Sequence, residues 1–164
     1  MPSIELSEAE ERDQVIATID LWVNRELAAE GPLKAVERIE VTDGTASHRW
    51  LLRFEGEEKD VITTWLTFHQ RTLHYETQLM PYPEANTIEV LTYLLRRNAH
   101  LIQMAFAFGP ENGLYLMGRS PADLVDEEEL DRIAGCSLIY IDDHFPTAMT
   151  LAFPELYRRR RPRR

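Results

Sequence analysis

The chain has little of what would dictate a chemistry. Its 164 residues include one cysteine, Cys136, which excludes an intramolecular disulfide framework and a cysteine-rich zinc site. Only seven glycines occur, with no P-loop and no GxGxxG, so no phosphate-cradling loop is written in the sequence. The five histidines, His48, His69, His74, His100 and His144, form neither an HxxH nor an HExxH pattern. No apolar run approaches the ~18 residues of a membrane span, and the longest clean one, Met104 to Phe108, has the length of a strand. The acidic residues Glu5, Glu8, Glu10 and Glu11 stand where a secretory signal would carry lysines and then an apolar stretch, so the simplest address is the cytoplasm. What is present, 44% hydrophobic and 28% charged residues, is the composition of a globular domain that can bury a core unaided.

Charge of one sign is concentrated at one end. Six of the 18 basic residues are Arg158, Arg159, Arg160, Arg161, Arg163 and Arg164, which leaves residues 1–157 with 12 basic against 28 acidic side chains, a net of −16. Such a body repels phosphate backbones, and nucleic acid or an anionic membrane is expected only through the tail. Pro162 inside the run and the absence of interleaved aromatics argue against a base-stacking platform there.

Along the chain, Ser7 with Glu10 is a capping box, and Val15, Ile16, Ile19, Trp22, Val23 and Leu27 then recur at helical spacing up to Gly31-Pro32. Val36 to Val41 reads as a strand and Asp43-Gly44 as a turn. Three further extended segments follow: 48–55, 61–68 and 72–79. In the last, Leu73, Tyr75, Thr77 and Leu79 face one way and His74, Glu76 and Gln78 the other, as in an antiparallel meander. Pro83-Glu84 suits the first turn of a helix with the stripe Ile88, Leu91, Leu94 and Leu95, stopping at Asn98. Ile102 to Phe108 and Leu114 to Arg119 read as a hairpin across Gly109–Gly113. Asp126 with Glu129 opens a last helix, carrying Leu130, Ile133, Ser137 and Ile141 on one face and kinked or restarted at Phe145-Pro146. The order, α-β(3-4)-α-β(2)-α, is that of an α+β fold with helices packed in a second layer on a mainly antiparallel sheet. One domain over residues 5–153 is expected, with 154–164 a disordered basic tail.

Chemistry-bearing groups do not converge. His74 and Glu76 share a strand face, a usable base pair, and with Arg71 they make the candidate small-molecule or enzymatic site. No nucleophile accompanies them. A continuous strand would put His69 and His74 on opposite faces. Asp142, Asp143 and His144 are adjacent on a helix and point apart. Cys136 lies mid-helix with no neighbouring base. No catalytic residue, cofactor or metal is therefore assigned, and the expectation is a non-enzymatic protein.

The second face of the sheet is the informative feature. If Trp50, Leu52, Phe54, Leu73, Tyr75, Leu79, Met104, Phe106 and Leu114 lie under the helices, the other face carries Leu51, Val61, Trp65, Tyr115 and Met117. These sit among Arg49, Arg53, His74, Glu76, Gln78 and Arg119. Either this mixture is an uncovered protein interface, or a helix crosses over and buries it in a third layer. Gly135, mid-helix, either permits a close approach or is simply tolerated.

The stretch from Gln70 to Pro83 (QRTLHYETQLMPYP) resembles a segment of the actinobacterial YbjN-domain proteins. Leu94 to Asn98, Phe108 to Glu111 with Leu114 to Arg119, Leu130 to Gly135 and Asp143 to Pro146 fit the same family, over roughly residues 5–153. These proteins are labelled sensory-transduction regulators, and their domain resembles the two-layer, usually dimeric fold of type III secretion chaperones. The resemblance implies a binding or regulatory domain acting on an unidentified protein partner, a homodimer, and no catalytic residues.

Overall fold

A computed structural model describes residues 6–40 and 47–160, without the side chains of Glu40 and Arg158–Arg160. The first helix, α1 (Glu8–Ala28), is followed by four strands, β1 (Leu33–Glu40), β2 (His48–Glu55), β3 (Val61–His69) and β4 (Thr72–Met80). Helix α2 (Thr87–Asn98), strands β5 (Ala105–Phe108) and β6 (Leu114–Pro121), helix α3 (Glu127–Ala152) and the short α4 (Pro154–Arg160) follow among the described residues. All six strands join one antiparallel sheet in the order β1-β2-β3-β4-β6-β5. The fold is α+β, with helices and sheet in two layers. The Asp43-Gly44 turn and the end of the arginine run, 161–164, lie outside the described residues.

Local chemistry sets the element ends. The Ser7 hydroxyl accepts from the Glu10 amide and the Glu10 carboxylate accepts from the Ser7 amide, so two donors of the first turn of α1 are satisfied reciprocally. Asp126 accepts from the Glu129 amide at 2.8 Å and starts α3. Between β3 and β4 the two turn residues Gln70 and Arg71 both have positive φ, 48° and 58°. That is the backbone of a tight two-residue hairpin, made here without glycine.

Period-2 alternation sorts the strands. Trp50, Leu52, Phe54, Ile62, Leu66, Phe68, Leu73, Tyr75, Leu79, Leu114 and Leu116 are all buried, on the face against the helices. They meet Val15, Ile19, Trp22 and Val23 of α1, Val90 and Leu94 of α2, and Leu130, Ile133, Ile141 and Ala148 of α3. Several polar groups in this layer are paired, while the buried Ser137 hydroxyl has no partner among the described residues. The Thr64 and Thr77 hydroxyls bond each other, the Trp22 indole donates to Asp131, and the Trp50 indole donates to Asp20. Tyr75 stands across from Gly118, where an added Cβ would come within 2.2 Å of the tyrosine ring, so β6 needs glycine at this point.

Several sequence expectations are corrected. Helix α2 starts at Thr87, not at Pro83-Glu84, because Asn86 takes up φ 52° and its side chain, with the Ala85 amide, binds carbonyls at the end of α3. Its buried stripe is Val90 and Leu94, while Ile88 and Leu95 are 77% and 67% exposed. Strand β5 is limited to Ala105–Phe108, since Gln103 turns the backbone to φ 55°. Helix α3 runs through Phe145-Pro146 unbroken, with no restart. The chain beyond Phe153 continues as α4 to Arg160, where a disordered tail from 154 was expected. Nothing lies within 4 Å of a Cβ placed on Gly135, so no close approach requires that glycine.

Asp142 of α3 holds the β2–β3 turn, accepting from the amides of Glu57, Glu58 and Lys59 at 2.9–3.1 Å. Beside it, burial pushes the Lys59 ammonium down to about 8 against the opposing pull of Asp142, and the ammonium donates to the Gln78 carbonyl. Two urea-unfolding experiments follow from these contacts. Gly135→Ala should gain up to about 1 kcal/mol, since only the helix-propensity term changes. Asp142→Ala should lose about 2 kcal/mol, because three backbone donors lose their acceptor and the half-buried Lys59 ammonium loses a nearby opposite charge. A Gly135→Ala protein less stable than wild type would reveal a steric contact at that position.

Candidate functional site: the open face of the sheet

The face opposite the helices is built by the registers of six strands. One row across it reads Glu37, Leu51, Trp65, Glu76, Met117, Ala105, and a second reads Ile39, Arg49, Thr67, His74, Arg119. Val61, opposite Glu55, and Tyr115, opposite Gln78, lie on the same face. No helix among the described residues covers it, so the third-layer alternative does not hold. Leu51 is nonetheless only 8% exposed, standing between Glu37 and Trp65 on its neighbouring strands. Val61 is 54% exposed, and Trp65, Tyr115 and Met117 are half-buried. The five residues singled out in the sequence therefore share one surface.

Two contacts order its aromatic groups. The Arg49 guanidinium lies 4.4 Å from the centre of the Trp65 ring and its Nε donates to the Thr67 hydroxyl at 3.3 Å. The Tyr115 ring rests on the Gly109–Gly113 turn, where a Cβ on Gly109 would meet it at 2.4 Å. Tyr115 is held above the ordinary phenol value by burial, then by the charges of Glu76 and Glu111. His74 is held below the ordinary imidazole value, first by burial and then by Arg119, with Glu76 opposing and His69 adding to the depression. Sequence reasoning put His69 and His74 on opposite faces. The two-residue turn between β3 and β4 restarts the alternation, and Thr67 opposite His74 with His69 opposite Thr72 places both on this one.

The alternative site is not assembled. His74 and Glu76 do share the open face, but the Arg71 guanidinium leaves the turn toward α1 and holds Glu11 at 2.6 and 3.1 Å. His144 is engaged with the Tyr93 hydroxyl and packs edge-on against Tyr93 and Phe106, on the helix side. His48 opens β2, His100 is exposed beyond α2, and Cys136 is half-buried in α3. Among the described residues no group of three or more His, Cys, Asp or Glu side chains could hold a metal ion. Nor is any helix long and apolar enough to cross a membrane.

Two concavities flank α2, away from the open face. One of about 110 Å³ is apolar, lined by Leu91, Leu94, Leu95, Phe106, Phe108 and Leu114 among others. The other, about 480 Å³ and shallow, runs along Ile88, Tyr93, Arg96, Arg97 and His100. Near the first, Asn98 does something its sequence position as a helix stop did not announce. Its side-chain amide donates to the Phe106 carbonyl at 3.1 Å and accepts from the Phe106 amide at 2.7 Å, which occupies the outer edge of β5.

The depressed His74 sets a pH dependence. Its neutral form is favoured in the folded protein, so the stability it contributes is complete above the unfolded value of ~6.5 and is lost as pH falls through the lower folded value. His144, also lowered by burial and by Arg97, acts in the same sense. Chemical unfolding between neutral and mildly acidic pH should show wild type losing more stability than His74→Gln, and the double variant with His144→Gln losing least. Equal losses in all three would mean that neither imidazole is desolvated by folding.

Comparison with known proteins adds the following. No protein-family model matches the chain, so the YbjN-domain resemblance rests on the motifs quoted above. Uncharacterized proteins of Mycobacterium tuberculosis and Mycobacterium bovis are 30% identical over 110 residues, 67% of this chain and 60% of theirs. One of Mycobacterium leprae is 28% identical over 105 residues, 64% of this chain and 57% of that protein. The chain thus spans about 60% of the length of these relatives. Among solved structures, a chain from the heterodimeric ExoU–SpcU complex of the Pseudomonas aeruginosa type III secretion system matches with a TM-score of 0.45 and 16% identity, covering 78% of this chain and 95% of that one.

Proposed function

We propose that this chain is a protein-binding module that docks its partner on the open face of the sheet, around Trp65. The observation that carries the reading is the row Leu51, Trp65, Glu76, Met117, in which half-buried indole and thioether groups flank one carboxylate and Arg49 stacks on the indole. Large apolar side chains with arginine are what protein interfaces concentrate. Strand registers fix these groups, so docking costs little ordering entropy. The binding or regulatory role implied by the YbjN-domain resemblance points the same way. The hydroxyl opposite His74, that of Thr67, is taken up by the Arg49 Nε, which sets the binding reading above a catalytic one built on His74 and Glu76.

Charge placed on this face should spare the fold and remove the contact. Met117→Glu and Trp65→Glu should keep helical and sheet circular dichroism, whereas Leu66→Glu and Leu116→Glu, on the covered face, should unfold the protein. A photo-crosslinker at Met117, with one at exposed Ile139 of α3 as control, together with solution mass by light scattering, locates the partner. A crosslink and a dimer mass that both disappear in Trp65→Glu identify a second copy. A crosslink lost at monomer mass identifies a different protein. Crosslinking from Ile139 alone, or crosslinks unaffected by Trp65→Glu, would refute the open face as the interface.

A further inference from the structure

We infer that the outer face of α2 pairs with α2 of a second copy of this chain, antiparallel about a two-fold axis that passes near Thr92. This surface lies on the helix side, apart from the open face, and neither reading depends on the other. Helix α2 packs inward through Val90 and Leu94, yet Ile88 and Leu95 are the two most exposed large apolar side chains among the described residues. With Thr92 and Ala99, both exposed, they stand at i, i+4, i+7 and i+11, the spacing of a seam between two helices.

The seam is flanked by charge that complements itself when one copy is reversed. The charged residues of α2 are Glu89 in the first turn and Arg96 and Arg97 in the last, and Arg97 is laid over the Tyr93 ring. Neither Glu89 nor Arg96 forms an ion pair among the described residues. Two helical turns separate them, so they lie on the same side of the seam. An antiparallel copy therefore sets Glu89 against Arg96 twice, once at each end. A parallel copy would oppose Glu89 with Glu89 and Arg96 with Arg96.

The antiparallel arrangement also brings Ile88 near Leu95 of the other copy, beside the apolar groove of about 110 Å³ that Leu91, Leu94, Leu95, Phe106 and Phe108 line. That volume suits an inserted side chain and falls well below the ~300 Å³ of a small-molecule pocket. Strand addition next to the groove is hindered, because Asn98 holds both the amide and the carbonyl of Phe106. A helix is thus the better occupant of this margin, and α2 itself carries the matching pattern. Paired in this way, two copies leave both open faces uncovered, so the dimer carries two docking surfaces.

The test is solution mass over a range of concentrations, by sedimentation equilibrium of the full chain. Wild type should pass from monomer to dimer as concentration rises. Ile88→Glu and Leu95→Glu should each stay monomeric, while Ile139→Glu, on the exposed surface of α3, should dimerise as wild type does. Glu89→Arg and Arg96→Glu should each raise the dissociation constant about tenfold, because each change appears twice across the axis. Mixed in equal amounts, these two variants should form a heterodimer of near wild-type affinity, since opposite charges then meet at both contacts. Circular dichroism and thermal melts establish that the variants are folded, and should a glutamate variant on the seam unfold, the mixing experiment decides.

A monomer mass for wild type at every concentration would overturn the inference. So would a dimer that survives both Ile88→Glu and Leu95→Glu, or charge variants that fail to recover on mixing. A dimer lost in Trp65→Glu but kept in Leu95→Glu places the self-contact on the open face and overturns it as well. A dimer lost in Leu95→Glu and kept in Trp65→Glu supports it, and leaves the open face to be judged by the Met117 crosslink alone.

Discussion

Everything in this molecule depends on the burial of one face of β3 and β4 beneath α3. Ile62, Leu66, Leu73, Tyr75 and Leu79 face Leu130, Ile133 and Ile141, and the paired threonine hydroxyls at 64 and 77 sit within the same layer. A one-residue slip in either strand would send those apolar groups to water and bring Trp65, His74 and Glu76 under the helix. The register is therefore strongly determined, and the register in turn fixes which residues form the rows of the other face. The composition of the open face is a consequence of how the covered one packs.

Much of this was legible in the sequence, for a physical reason. The alternation of Leu73, Tyr75, Thr77 and Leu79 with His74, Glu76 and Gln78 admits one arrangement of faces, and the capping box at Ser7 and the N-cap at Asp126 mark helix starts by chemistry that acts over three residues. What was not legible depends on contacts distant in sequence. The start of α2 is delayed because Asn86 and Ala85 bind the far end of α3, more than sixty residues on. The exposure of Ile88 and Leu95 follows from how α2 is turned toward β5, which its own apolar stripe leaves undetermined. Phe145-Pro146 suggests a kink or restart, but the helix continues through Pro146 with packed residues on either side, Ile141 and Ala148 among them.

The candidate site shows the same division. Leu51, Val61, Trp65, Tyr115 and Met117 could be placed on one face from alternation alone. Three features could not be found that way: the stacking of Arg49 on Trp65, the departure of Arg71 toward Glu11, and the meeting of His69 with His74. The first two depend on rotamers and the third on a turn of two positive-φ residues that lacks the usual asparagine-glycine signature. Asp142 is a similar case. Among the acids of α3 nothing in its local sequence distinguishes it, yet it is the residue that fastens the β2–β3 turn to the helix layer.

The Asn98 amide seated on Phe106 bears on what can grow from this sheet. Strand-by-strand polymerisation needs two complementary bare margins on every subunit, one to give and one to receive. Here one margin is engaged at Phe106 by a side chain of the same chain, and the other, β1, carries Lys34, Glu37 and Arg38 along its eight residues. At Phe106 the β5 margin has its donor and acceptor already taken, so one asparagine removes that backbone pair from any added strand.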